Sequence, residues 1–380
     1  MPAPAESRDR LRVAIDATPL LGQPTGVGVF AANLLAALAE DPSLDLRAFA
    51  VSWRTRHHLA EHVPVGVSTD QRAMPARPLH QAWSTGDHPR IERFLGPVDV
   101  VHGTNFTVPP SRRAGRVVTV HDLTCLRFPE MCQPATLRYP KLIERALRTG
   151  AVVHTPSQSV ADEVRESFGA PRDQVVAIHS GVPVLPAPDP RGIPGSVDLG
   201  RPYVLSIGTA EPRKDLPGLV RAFDAVARAL PDLQLVLVGP EGWGSDALGE
   251  AIATSTARSS IVLTGFVDDA ALSALLDGAR ALAYPSVYEG FGFPPLQAMA
   301  RGVPVVTTAV GALRETCGGA ALMVHPGDVD SLAEALRAAV DDEAQRAILV
   351  TAGRARAADF TWDRTAGQLA DLYRRVDRHR

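Results

Sequence analysis

Short runs of apolar, largely β-branched residues alternate along the chain with longer stretches whose apolar positions recur every three or four residues. In the first half the runs at 12–17, 46–51, 98–103, 116–121, 151–156 and 174–179 predict strands. In the second half the runs at 203–208, 233–239, 260–265, 279–286 and 303–308 repeat the scheme. Helical patterns fall between them, near 30–40, 137–148, 215–230, 268–278, 294–301 and 329–340, with further helices at 343–358 and 360–376. Near-continuous apolar strands interleaved with helices specify parallel sheets covered on both faces. The expected fold is α/β, with two doubly wound Rossmann-like domains. In such sheets ligands bind beyond the carboxyl ends of the strands, so residues just after each strand are the candidates for chemistry.

The Pro- and Gly-rich stretch 184–202 can build neither helix nor core and reads as a linker. The expected domains are therefore 1–183 and 203–358, followed by a last helix in 359–380. With 380 residues the chain buries enough surface to need no disulfide or metal staple. Its three cysteines, none in a C-x-x-C pair, form no disulfide framework. A net charge of -3 argues against a nucleic-acid binder. The N-terminus lacks a signal-peptide apolar core and no run of 18 apolar residues occurs, so the expectation is a cytoplasmic protein without a membrane span.

Two segments of the second half carry the chemistry. In SIGTAEPRKD a strand ends at Gly208 and a turn presents Arg213 and Lys214. Lys214 stands out because only two of the 39 basic residues are lysine. A compact ammonium beside an arginine fork at a strand's carboxyl end suits a diphosphate without a metal ion. In AYPSVYEGFGFPPLQAMARG, Glu289 follows a strand, Gly290 and Gly292 permit close backbone approach, and Pro294-Pro295 opens a helix whose start can hold an anion. A carboxylate at such a place implies hydrogen bonding to polyol hydroxyls.

These segments resemble the family 4 (group 1) retaining nucleotide-sugar glycosyltransferases of the GT-B fold. The family's Glu-x7-Glu stretch reads here from Glu289 to Gln297, its Arg-Lys pair is Arg213-Lys214, and its base-reading turn is 263–269, with Phe266. The resemblance implies two facing Rossmann-like domains, with the C-terminal helix crossing back to the first. It further implies that Glu289 holds the donor sugar, that Gly290, Phe291 and Gly292 offer amides to sugar and phosphate, and that Arg213 and Lys214 neutralise the leaving diphosphate. The departure is Gln297, where the family has a second glutamate on the ribose. An amide keeps one acceptor and adds donors.

In the first half, Gly26-Val27-Gly28 at a helix start is not an NAD fingerprint, because about eight residues separate it from the strand. By the resemblance this loop, with Gly26 and Gly28, lies opposite the donor diphosphate. His121-Asp122 ends another strand, and the family's histidine at this place contacts the donor sugar. Asn105 and Ser157 follow strands and are assigned to the acceptor side on topology.

The implied activity is metal-independent, α-retaining transfer of a hexose from a nucleotide diphosphate sugar to a hydroxyl acceptor, with no cofactor. GDP-mannose is the first expectation for the donor, on family frequency. The acceptor, whether a glycan, a small molecule or a lipid-linked compound, stays open. The competing class is a noncatalytic nucleotide or sugar binder on the same scaffold. Arg138, Lys141, Arg145 and Arg148 recur at helical spacing as a basic stripe suited to anionic lipid at the inner face of a membrane, or simply as a solvated face. The pattern from His58 to His62 matches H-x-x-E-H but sits in a polar, poorly patterned region. Asp328-Val329-Asp330 opens a helix, where acids serve as caps rather than metal ligands.

Overall fold

The computed structural model describes residues 10–22 and 25–378. The chain divides into two compact units. The first comprises residues up to Leu126, Ala135–Gly181 and the segment from Thr361 onward; the second comprises Arg127–Pro134 and Val182–Phe360.

The sheet of the first unit contains β1 (Leu11–Asp16), β2 (Leu44–Phe49), β3 (Ser68–Asp70), β4 (Val100–Gly103), β5 (Gly115–Thr119), β6 (Val152–Thr155) and β7 (Val175–Ala177), in the order β3-β2-β1-β4-β5-β6-β7. That of the second contains β8 (Tyr203–Ile207), β9 (Gln234–Val238), β10 (Ile261–Gly265), β11 (Ala281–Tyr284), β12 (Val305–Thr308) and β13 (Leu322–Val324), in the order β10-β9-β8-β11-β12-β13. Every pairing is parallel. Both sheets are doubly wound, as the pattern requires. β3 and β13 are additions to the sequence reading: each is a three-residue edge strand, half-buried or exposed over most of its length.

Residues 184–202, read above as a linker, belong to the second unit. Val197 is buried in its core, Asp189 N donates to Ala270 O, and Ser273 Oγ donates to Pro186 O. Few apolar side chains are needed there because backbone hydrogen bonds hold the segment. The last helix, Trp362–Arg378, is part of the first unit. It packs on the helix Gly26–Ala39 and on β5. Thr365 Oγ1 donates to His179 O (2.7 Å), and Arg374 reaches Asp41 (3.1 Å) and Ser43 (2.7 Å).

A buried chain of hydrogen bonds crosses the first unit. His154 Nε2 lies 3.1 Å from Ile178 O, a carbonyl that can only accept, so Nε2 carries the proton. Neutral His154 then accepts at Nδ1 from Thr119 Oγ1 (2.9 Å). With its one proton spent, Thr119 accepts from His102 Nε2 (2.7 Å), and His102 Nδ1 accepts from the Tyr373 hydroxyl (2.7 Å). One carbonyl thus orders every proton from β6 to the C-terminal helix. Burial keeps both histidines neutral: it pushes His154 down to about 4 and His102 well below its ordinary value.

Candidate functional site

In the second unit the carboxyl ends of β8 and β11 meet. β8 runs into Gly208, whose φ of +150° and 3.3 Å clearance from Lys214 Cε favour glycine. The chain then makes a 3-10 turn, Pro212–Lys214, and enters the helix Leu216–Ala229 through Asp215. Asp215 sits in the left-handed region (φ 45°) and its carboxylate accepts from Gly218 N (3.0 Å), so the turn is fixed by the cap of the helix behind it. This places Arg213 and Lys214 side by side, inward from solvent.

Glu289 is the carboxylate between them. Its Oε1 lies 2.6 Å from Arg213 Nη1 and 2.6 Å from Lys214 Nζ, and its side chain is 8% exposed. Arg213 also donates to Tyr288 O (3.0 Å) and pairs with Glu211 (3.3 Å). Lys214 donates to the Tyr284 hydroxyl and lies 4.5 Å from the centre of that ring. Burial alone would raise the Glu289 carboxyl, but Arg213 and Lys214 hold it at about 2. Burial lowers Lys214, and the charge of Glu289 works against that fall. Glu289 is therefore ionised at neutral pH, held between two basic side chains in a site that excludes most water.

Beside it, Gly292 (φ 96°) begins the helix Phe293–Ala300, whose first turn has no side-chain cap. A Cβ at Gly292 would come within 2.6 Å of Leu313 Cδ2, so the tight approach of this turn to its neighbour demands glycine. Phe291 is not a surface group: its ring is buried against Phe293 and Phe360, leaving only its backbone for a ligand. Gln297 is 8% exposed, yet among the described residues its side-chain amide has no protein hydrogen-bond partner. Phe266, 56% exposed, projects from the turn after β10, on the same strand-end row of the sheet. Arg213, Lys214, Glu289, Gly292, Gln297 and Phe266 thus follow the carboxyl ends of strands of the second unit.

In the first unit, His121 follows β5 and its Nε2 donates to Thr104 O (2.8 Å), which leaves Nδ1 as an acceptor. Burial holds the ring below its ordinary pKa, so it is neutral at pH 7. The rings of Phe30 and Phe106 pack edge-on against it, at 5.2 and 6.0 Å between centres. Phe106 has φ 56°, and Thr107 N donates across it to Asn105 O (2.7 Å), a strained three-residue turn beside His121. Asn105 therefore shares the loop that shapes the His121 pocket. Asp122 accepts from Thr124 N (2.8 Å) as a local cap. Gly28 lies where a Cβ would meet Pro19 O at 2.9 Å, whereas Gly26 faces open space.

Ser157 departs from its expected place on the acceptor side. It is fully buried, and its hydroxyl accepts from Val160 N (3.3 Å) as the cap of the helix Gln158–Phe168. The basic stripe is also broken: Arg145 turns inward to Gly86 O and pairs with Asp87 (2.6 Å), while Arg138, Lys141 and Arg148 stay exposed. His58 pairs with Glu61 at the surface (3.2 Å), and Asp328 caps the helix Val329–Asp341.

Two groups escaped the sequence reading. Tyr284, the last residue of β11, looked like one more apolar strand position. Asp16, the last residue of β1, is 8% exposed, and burial raises its carboxyl to about 6 even though Thr18 donates to it. Its position at a strand's carboxyl end was the available signal.

Comparison with known proteins agrees with this picture. Residues 24–184 match the model described as Glycosyltransferase Family 4, and residues 194–356 that described as Glycosyl transferases group 1. The O-antigen chain mannosyltransferase B of Escherichia coli is 32% identical over 304 residues, covering 78% of this chain and 77% of that protein. The glycogen synthase of Mycobacterium tuberculosis (strain H37Rv) is 30% identical over 286 residues, covering 72% and 68%. The solved sucrose-phosphate synthase from Thermosynechococcus elongatus superposes with a TM-score of 0.75 at 19% identity, over 98% of this chain and all of that one, a likeness of fold. With a Family 4 model on the first half, a group 1 model on the second and a relative 32% identical over 78% of the chain, the chain belongs to the group 1, Family 4 glycosyltransferases of the GT-B fold.

Proposed function

We propose that the protein transfers mannose from GDP-mannose to a hydroxyl acceptor, with retention of the α configuration and without a metal ion. The observation that carries this reading is the ionised Glu289 held between Arg213 and Lys214, next to the uncapped start of the helix Phe293–Ala300. When the donor binds, its diphosphate takes over both cations and the helix start, and Glu289 turns its carboxylate to the sugar hydroxyls. As the bond from the anomeric carbon to the phosphate oxygen breaks, negative charge grows on that oxygen. Arg213 and Lys214 stabilise it electrostatically. The acceptor oxygen bonds to the anomeric carbon from the face the phosphate leaves, and its proton passes to the departing phosphate. Neutral His121, with Nδ1 as acceptor, orients a donor hydroxyl. Phe266 stacks on the base and Gln297 meets the ribose.

Mannose is favoured by the name of the E. coli relative, whereas the glycogen synthase keeps glucose as the competing sugar. A thermal-shift panel of GDP, UDP, ADP and dTDP, with and without EDTA, tests the donor. A diphosphate at 100 times its dissociation constant adds about 2.7 kcal/mol. Stabilisation by GDP that EDTA leaves intact and Lys214→Ala abolishes is expected. Stabilisation by UDP or ADP instead would replace the base. Binding with no sugar transfer to any acceptor would leave a noncatalytic binder.

A further inference from the structure

At the opposite edge of the first sheet, where β5 and β6 begin rather than end, lies a cavity of about 960 Å³. Four arginines line it (Arg112, Arg113, Arg116 and Arg375) against a single acid, Asp173. It belongs wholly to the first unit and contains none of the residues assigned above to donor or acceptor.

The charges are prearranged. Arg112 and Arg113 stand on a turn that Glu92 fixes from behind, its Oε1 accepting from Ser111 Oγ (2.6 Å), Arg112 N (2.8 Å) and Arg113 N (3.2 Å). Ser111 Oγ in turn accepts from Ala114 N (2.6 Å). Oε1 of Glu92 is thus engaged by the backbone of the arginine pair. Arg375 is delivered by the C-terminal helix, which lies so close to the start of β5 that a Cβ on Gly115 would come within 2.8 Å of Val376 Cγ2.

Neighbouring arginines are consumed by structure. Arg12 pairs with Asp99 (2.7 Å), Arg374 with Asp371 (2.8 Å) and Asp41 (3.1 Å), and Arg116 is held by Thr149. Arg112, Arg113 and Arg375 are exposed, and among the described residues no side-chain hydrogen bond or ion pair engages them. The adjoining cavity of about 480 Å³, across the same turn, shares Arg112 and Arg113 and adds Arg12 and Arg90 against Glu92, Asp99 and Asp377, so its excess of positive charge is smaller. The larger cavity adds Arg375 and Arg116 to that pair against the single Asp173, and its guanidinium forks present planar donors that match phosphate oxygens in pairs.

We infer that this cavity is a second anion site, taking a ligand with clustered phosphate groups, at the end of the first sheet where β5 and β6 begin. The inference stands independently of the proposed donor and reaction.

Calorimetric titration of the full chain with inorganic tripolyphosphate tests it, in wild type, in Arg213→Ala/Lys214→Ala and in Arg112→Ser/Arg113→Ser/Arg375→Ser. Binding that survives in the first variant and weakens at least tenfold in the second is expected. The second variant should keep its thermal midpoint and its GDP binding. Vesicles of phosphatidylcholine with and without phosphatidic acid identify the source of the phosphate. Capture by phosphatidic acid that the triple variant loses assigns a lipid headgroup; tripolyphosphate binding alone assigns a free phosphorylated solute. Binding abolished by Arg213→Ala/Lys214→Ala, or unchanged in the triple variant for both probes, overturns the inference. Should the triple variant unfold, Arg113→Glu alone must still weaken binding.

Discussion

Replacing Glu289 by glutamine keeps the volume of the side chain and removes the charge that Arg213 and Lys214 share. The carboxyl titrates at about 2 in the folded chain against an ordinary 4.5, so folding favours the ionised form by about 3 kcal/mol. The depressed pKa sets the sign: this stabilisation is fully present above pH 4.5 and is lost as the pH falls toward 2. At pH 7 the glutamine variant forfeits it and leaves Glu211 as the one carboxylate still paired with Arg213. A unit of this size loses roughly 2–4 °C per kcal/mol, so its unfolding transition should fall by roughly 6–12 °C in calorimetry. Ligand binding should move the other way. Under the proposed function Glu289 competes with an incoming diphosphate for Arg213 and Lys214, so the variant should bind GDP several-fold more tightly while sugar transfer collapses. Lys214→Met and the double variant complete a cycle whose coupling should exceed about 1 kcal/mol. A midpoint shift under about 3 °C with GDP affinity unchanged would refute the idea that this carboxylate is the internal counter-ion of the diphosphate site.

Other outcomes follow from the same geometry. Tyr284→Phe removes the hydroxyl that accepts from Lys214 while keeping the ring under the ammonium. At about 1 kcal/mol for one such bond, kcat should fall roughly fivefold with little change in donor KM; a purely structural role would instead lower the thermal midpoint and spare kcat. Gln297→Glu should restore two acceptors and raise the preference for GDP over its 2′-deoxy analogue, read by competitive titration. Acid should destabilise the first unit through its buried histidines. Neutral His154, held near 4 against an ordinary 6.5, contributes stability present above pH 6.5. About 3 kcal/mol of it disappears between pH 6.5 and 4, which urea unfolding at pH 7.0 and 4.5 will measure.

Much of this was readable from the chain. Strands buried on both faces leave apolar runs with no alternation, which is why β4, β5, β8, β9 and β11 were visible by eye. β3 and β13 were not, because a three-residue edge strand carries too short a pattern. Glu289, Arg213 and Lys214 were legible from chemistry, being charges placed where an apolar strand had just ended. Their shared geometry was not, because the partners are 75 residues apart and no local period links them. Ser157 misled for a related reason: a serine after a strand and before a helix is as good a cap as a ligand, and only burial separates the two. Arg145 looked like one of four solvated cations until Asp87, 58 residues earlier, supplied its partner.

The place of Tyr373 in the buried proton chain has a consequence for how the molecule is made. His102 emerges from the ribosome 271 residues before the hydroxyl that completes its hydrogen bonding. At about 5–20 residues per second, that interval is roughly 15–50 s. Throughout it, the nascent first unit lacks the helix that closes its core, while the intervening chain of the second unit is being synthesised. Assembly therefore finishes with the unit that began it, and the last helix acts as a latch that locks the earliest residues only after the second unit exists.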